Sequence, residues 1–168
     1  MLSERQKTLL VLNGVGVLAA GVFLAGWLYF IMLLEGLRLF PFVEFIQADV
    51  PGDRRAWNMA HMEGITNGLL LMATAAVAPF IKLGERACKV LFWASLAYAW
   101  LFTLPAIANA FFETRGLAFG GTPFEASIAN DIIFMFGWPA FLGVHIALPL
   151  LAYGIWQHLK SISKEVQA

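Results

Sequence analysis

The sequence holds only one cysteine, Cys88, and few charged residues. A single thiol cannot form a disulfide within the chain, and the sequence has no CxxCH motif for covalent attachment of haem. Charged residues make up 13% of the chain and cancel to a formal net charge of zero. A neutral chain lacks the basic surface that nucleic acids select, so we exclude nucleic acid as a partner.

Apolar side chains are what the sequence has in quantity. The 168 residues are 60% hydrophobic and include 15 phenylalanines, which exceeds the apolar share of soluble domains. Four apolar stretches, at residues 8–34, 58–81, 87–112 and 127–157, each reach the roughly 20 residues that a helix needs to cross a bilayer. The sequence therefore predicts an all-α integral membrane protein: one domain, residues 1–168, built as a four-transmembrane-helix bundle.

The distribution of basic residues predicts the orientation in the membrane. With four spans, both termini and the loop between the second and third spans share one side, and that side carries seven of the eleven basic residues. These are Arg5, Lys7, Lys82, Arg86, Lys89, Lys160 and Lys164. The positive-inside rule then places both termini in the cytoplasm of a bacterial-type inner membrane.

The two loops on the opposite side are not ordinary linkers. Residues 35–57 mix aromatic and aliphatic side chains with acids, which predicts an amphipathic segment lying at the membrane interface. Residues 113–126 carry three glycines and a proline, and we expect them to fold back as a structured cap. Both loops could cover a site that opens on this face.

Polar residues interrupt the second span in the stretch WNMAHMEGITNG. His61, Glu63 and Asn67 would lie in or at the edge of the hydrocarbon, where polar groups are costly and commonly face a cavity. Successive helical residues are about 100° apart, so His61, Gly64 and Gly68 share one stripe. Two glycines leave a flat strip that fits close helix packing or a planar cofactor held by His61. Spacing alone favours packing, while the polar neighbours favour a pocket over one isolated histidine.

Two motifs resemble those of the styrene oxide isomerase family. AHMEGITNG, preceded by VPG and by Trp57, is similar to the second-span motif of that family, and Arg115 to Gly120 read RGLxFG, as in its loop between the third and fourth spans. The resemblance implies a small membrane enzyme that assembles as a homotrimer and binds haem b noncovalently between subunits. It also implies that ferric iron acts as a Lewis acid on a hydrophobic epoxide and that a hydride shift gives an aldehyde.

The resemblance also assigns roles to residues of this sequence. His61 would be the axial ligand of the haem iron, and Asn67 would be the pocket asparagine near the epoxide. Arg115 would pair with a haem propionate or with Glu113. The cofactor-binding set is then His61, Gly64, Gly68 and Arg115.

Three positions depart from the family pattern. The third span has Tyr98 and Ala106 where the family has pocket aspartate and tyrosine, and the second span has Glu63 where the family has a small residue. Glu63 could replace the lost acid, so we count it with Asn67 as a candidate catalytic residue. The residues that would bind the cofactor therefore match the family pattern better than the residues that would line the reaction pocket.

The depth of the histidines predicts an open coordination position. His61 lies roughly 5 Å below the outer end of its span and His145 roughly 27 Å below the outer end of the fourth, whereas two trans ligands place their nitrogens about 4 Å apart. An open position suits Lewis-acid catalysis, and two protein ligands suit electron transfer. Two alternatives to the isomerase remain: a haem protein for electron transfer or sensing, and a haem-free accessory subunit in which His61 merely packs.

Other polar and aromatic residues are weaker candidates. Asn109, Glu113, Asn130 and Asp131 lie near the same face as His61, and helix capping is the favoured interpretation for them. Aromatic residues that could stabilise a cation or shape a pocket are Trp93, Trp100, Phe102, Phe111 and Phe112.

Overall fold

The computed structural model describes residues 1–166, and most of them are helical. The elements are α1 (Glu4–Ala19), a π-helical turn (Ala20–Gly26), α2 (Trp27–Leu34), β1 (Gly36–Leu39), β2 (Val43–Gln47), α3 (Arg54–Ala76), a 3-10 turn (Ala78–Phe80), α4 (Glu85–Phe112) and α5 (Ile128–Val166). The first three run on as one helix of 31 residues, which we call the first span. The helical prediction is confirmed, and its bounds lie within a few residues of the expected ones except at the end of α5.

Within residues 1–166, three helical stretches are long and apolar enough to cross a membrane, judged by length and composition: Glu4–Leu34, Glu85–Phe112 and Ile128–Glu165. The 23-residue helix α3 is long enough as well, yet it is not among the three. Asn58, His61, Glu63 and Asn67 interrupt its apolar sequence. The chain is thus a membrane protein with three apolar spans by this measure, and α3 is a more polar fourth helix.

Helix α3 lies between the first span and α4, and α5 packs against α4. Two apolar clusters fill the contacts. The larger one includes Leu10, Leu71 and Tyr98 and lies at the end with the chain termini. The smaller one includes Trp57 and Ile107 and lies at the other end, beside the hairpin.

Local hydrogen bonds set where the helices begin and end. Asp53 Oδ2 accepts a hydrogen bond from the N–H of Ala56 at 3.1 Å and so caps α3. Helices α2 and α4 both stop at a residue with left-handed dihedrals, Glu35 at φ 55° and Glu113 at φ 54°. These two stops direct the chain into the two loops at the hairpin end.

The segment after Glu35 forms an antiparallel hairpin of β1 and β2. Its register pairs Gly36 with Gln47 and is irregular beyond Leu37. Phe40 and Phe42 at the tip are 84% and 89% exposed. The structure therefore gives this loop a defined fold with an apolar tip, and its location at the membrane interface stays a prediction.

Candidate functional site

A cavity of about 390 Å³ lies at the hairpin end, between α3, α4 and α5. Its walls come from Ala56, Met59 and Glu63 of α3, from Leu101, Phe102, Pro105, Ala106 and Asn109 of α4, and from Ile133, Phe134, Gly137, Trp138 and Phe141 of α5. Residues 114–117 cover its outer end. The volume and the mostly apolar wall with a few polar groups are typical of sites for small molecules.

The aromatic wall of the cavity comes from α5. Phe134, Trp138 and Phe141 follow one another at ring-centroid distances of 6.0 Å and 5.3 Å. Their spacing of four and then three residues places them on one helix face. This wall was not predicted from the sequence, although the spacing of the three residues indicates a shared helix face.

The aromatic candidates named from the sequence are mostly elsewhere. Only Phe102 among them lines the cavity. Trp100 Nε1 donates to Asn13 Oδ1 at 2.9 Å, and Phe111 packs edge-on against Trp57 at 4.7 Å. Trp93 is 67% exposed. These residues hold helices together or face outward.

A hydrogen-bonded loop forms the roof of the cavity. Asn130 is fully buried, and its Oδ1 accepts from the N–H of Gly116 at 2.9 Å while its Nδ2 donates to the carbonyl of Ala118 at 2.8 Å. Asn109 Nδ2 donates to the carbonyl of Arg115 at 3.1 Å. The predicted cap is therefore present, and the two asparagines serve it structurally.

Glu63 and Arg115 place charge at the cavity. The partly buried Glu63 lies in the α3 wall, and Arg115 lies in the roof. The guanidinium Nη2 of Arg115 is 3.7 Å from Asp53 Oδ2. Arg115 thus pairs with Asp53 at the start of α3 rather than with Glu113.

His61 is half-buried on another side of α3. Its Nδ1 lies 2.9 Å from the carbonyl oxygen of Gly21 in the π-helical turn. A carbonyl only accepts hydrogen bonds, so Nδ1 carries the proton, and in the neutral ring Nε2 then keeps its lone pair. Metal-bound histidines commonly donate their other N–H to such an oxygen, which leaves the free nitrogen for the metal.

The glycines of α3 pack against the first span. A Cβ at Gly64 would overlap the Cα of Gly21, and a Cβ at Gly68 would lie 2.7 Å from the carbonyl oxygen of Gly14. The packing interpretation, which spacing alone favoured, describes these two residues. Where we expected the flat strip to face a macrocycle, the chain's own first span covers it.

Asn67 joins α3 to α4, since its Nδ2 donates to Thr103 Oγ1 at 3.2 Å. Neither Asn67 nor His61 lines the cavity. His61 and Glu63 are two residues apart, which places them about 160° apart around the helix. The cavity therefore brings together Glu63, Ala106 and Arg115 and does not include the histidine.

The remaining sequence candidates are also located. Tyr98 is 1% exposed in the larger apolar cluster, away from the cavity wall that Ala106 joins. His145 is exposed, and its Nδ1 is 2.8 Å from the carbonyl oxygen of Phe141 in its own helix. The difference in depth between His61 and His145 stays a prediction.

The motif residues before α3 have structural roles. Trp57 is fully buried, and its Nε1 donates to the carbonyl of Pro51 at 2.8 Å. Gly52 has φ 103°, and a Cβ there would collide with the carbonyl of Ala110 at the end of α4. The VPG and Trp motif thus fastens the start of α3 to the end of α4.

Comparison with protein-family models finds a match over most of the chain. The family model for styrene oxide isomerase matches residues 6–156, from α1 well into α5. No curated protein matches the sequence.

Proposed function

Because the chain belongs to the styrene oxide isomerase family, we propose that it is a membrane isomerase that converts a hydrophobic aryl epoxide to an aldehyde. The reaction would proceed by Lewis-acid ring opening followed by a hydride shift. One observation carries the proposal within the family: a roofed cavity with an aromatic wall and one carboxylate, that of Glu63. The cavity lies at the same end of α3 as His61.

The proposal places four helices in the membrane, with α3 as the more polar one. At about 1.5 Å per residue, the 23 residues of α3 extend far enough to cross the hydrocarbon core. Contacts with the first span on one side and α4 on the other partly bury His61, Glu63 and Asn67. The excess of basic residues at the end with both termini supports a cytoplasmic location for them in a bacterial-type inner membrane.

Haem b, bound noncovalently, is the proposed cofactor, and the residues around His61 fit it. The bond from Nδ1 to the carbonyl of Gly21 leaves Nε2 with a lone pair, and the ring is only partly buried. These are the properties of an axial histidine. When bound, the ferric iron would supply Lewis acidity towards the epoxide oxygen.

The cavity residues would bind and orient the substrate. Phe134, Trp138 and Phe141 offer an apolar wall to an aryl group, and the roof covers the outer end of the cavity. Aromatic faces and the Glu63 carboxylate would both stabilise positive charge that develops at a benzylic carbon. Asn67 is held by Thr103, so it would orient an epoxide oxygen only after exchanging that bond.

A homotrimer, which the family resemblance implies, is part of the proposal. In one chain, His61 and the cavity lie on different sides of α3, so a group held by His61 would reach the cavity only of another copy. Met62 on the outer face of α3 is 48% exposed. A neighbouring subunit could cover this face and complete the site.

A second candidate function is a haem-binding membrane protein for electron transfer or sensing. The placement of Tyr98 favours it, because the residue at that third-span position lies in the apolar core and not at the cavity. The cavity itself favours the isomerase, because an electron-transfer protein has no need of a substrate-sized pocket.

Two measurements on the full-length protein test these proposals. The visible spectrum of protein made with ample haem should show a Soret band, and its absence would reject both haem functions. Conversion of styrene oxide and larger aryl epoxides to aldehydes, followed by gas chromatography, should then exceed the rate in membranes that lack the protein. A Soret band without any aldehyde across such a panel would favour electron transfer or sensing.

A further inference from the structure

One turn of the first span, Ala20–Gly26, is π-helical, and it lies beside His61. Such turns are wider than an α-helical turn and are frequent at functional sites. Glycines stand near both ends of this one, at Gly21 and Gly26. Each of the two glycines contacts His61 in a different way.

Gly21 supplies a hydrogen-bond acceptor. Its carbonyl oxygen is 2.9 Å from His61 Nδ1, which fixes the proton on that nitrogen. The Cα of Gly21 also lies against Gly64, three residues after His61 on the same helix. The acceptor therefore cannot move without opening the contact between the first span and α3.

Gly26 supplies space. A Cβ there would lie 2.7 Å from His61 Nδ1, 2.9 Å from Cε1 and 3.2 Å from the carbonyl oxygen of Gly21. Any side chain would push the imidazole away from its acceptor. The backbone of Gly26 is ordinary right-handed helix, at φ −65° and ψ −42°, so room for the ring, and not conformation, is what requires glycine.

We infer that the Ala20–Gly26 turn is the positioning element for His61. Gly21 holds the tautomer, Gly26 leaves room for the ring, and together they present Nε2 as the ligand atom. This inference rests on the proposed function, in which Nε2 binds the haem iron. It adds that the first span must hold the ring of His61 in place, although the first span itself supplies no ligand atom to the iron.

The variant Gly26→Ala tests the inference, with Gly14→Ala as its matched control. Gly14 lies in the same contact between helices, where a Cβ would meet Met72 Cγ at 2.7 Å and the carbonyl of Gly68 at 2.9 Å, away from His61. Loss of the partner that orients a metal-bound histidine typically weakens binding by about 10–100-fold. We expect that loss of haem affinity, measured by transfer to apomyoglobin, in Gly26→Ala and wild-type affinity in Gly14→Ala. Equal affinity in all three proteins, or equal loss in both variants, would overturn the inference.

A second measurement does not depend on haem or on the folding of a variant. The three histidines can be labelled with ¹⁵N in the full chain and observed by NMR. If haem is bound, the sample is the diamagnetic ferrous carbonyl form; if it is not, the protein is measured as purified. The wild type should carry a slowly exchanging proton on His61 Nδ1, and exchange with water should be about tenfold faster in Gly26→Ala. Rapid exchange in the wild type would overturn the positioning role. A missing Soret band would reject the haem proposal instead, and the proton at His61 would still decide the inference.

Discussion

The two faces of α3 differ in how much change they can accept. On one face, Gly64 and Gly68 touch the backbone of the first span so closely that a methyl group does not fit. On the other, Met59 and Glu63 line a cavity of about 390 Å³. Close backbone contact fixes the position of His61, whereas a cavity wall can change side chains without moving the helix. We therefore expect cofactor binding to depend on the part of the first face that lies beside His61, at Gly21 and Gly26, and choice of substrate to depend on the second face.

The largest effect is expected at His61. His61→Ala removes the only atom that the proposal gives to the iron, so the Soret band and all isomerase activity should disappear while the protein still assembles. His145→Ala should keep both, because His145 is exposed and bonds to its own helix. Absorption spectra of the two variants, recorded at equal protein concentration, measure their haem content. Equal loss of haem from both variants would contradict the proposal that His61 is the ligand of the iron.

Gly64→Ala tests the packed face without touching the histidine ring. The added Cβ would overlap the Cα of Gly21, and overpacking of this kind typically costs about 1–3 kcal/mol. We expect a lower thermal midpoint in detergent, followed by intrinsic fluorescence. Gly84→Ala is the control, because nothing lies within 4 Å of a Cβ at that position. If the two variants melt at the same temperature, the contact between α3 and the first span is looser than described.

Ala106→Trp tests the cavity face. The indole would occupy the volume between α3 and α5, and we expect kcat/KM for an aryl epoxide to fall by about tenfold with the Soret band unchanged. Leu104→Trp is the control, since Leu104 is 48% exposed and does not line the cavity. Unchanged kinetics in Ala106→Trp would show that substrate binds elsewhere.

The sequence allowed the helices to be predicted more accurately than the site. The third span was expected at residues 87–112 and is Glu85–Phe112, because an apolar run of that length has one favourable fold in a bilayer. The hairpin after Glu35 was not anticipated, since strand pairing depends on contacts between short segments that carry no strong pattern of their own. From the sequence, residues 35–57 were predicted only to form an amphipathic segment at the membrane interface.

Within the site, the deciding information was the identity of the neighbouring helix. The spacing of Gly64 and Gly68 favours packing but does not exclude a macrocycle until Gly14 and Gly21 are seen opposite them. The π-helical turn had no signal of its own, because AGVFLAG is as apolar as any stretch of the first span. Glu63 was singled out from the sequence and does line the cavity, but the walls that α4 and α5 build around it depend on tertiary contacts.

Glu63→Gln is the smallest and most specific change, because it removes a charge from the cavity face and keeps the shape of the side chain. Ion pairs that stay in contact with solvent contribute about 0.2–1 kcal/mol, and Glu63 is only partly buried, so we expect turnover to change by up to roughly fivefold. The midpoint potential of the haem could shift as well, whereas the thermal midpoint should stay near that of the wild type, since Glu63 faces a cavity and not the packed contact with the first span. Met59→Leu, in the same wall, is the uncharged control and should leave turnover and potential unaltered. If Glu63→Gln matches the wild type in turnover, in potential and in spectrum, the carboxylate takes no part in the chemistry and belongs with the structural residues of α3.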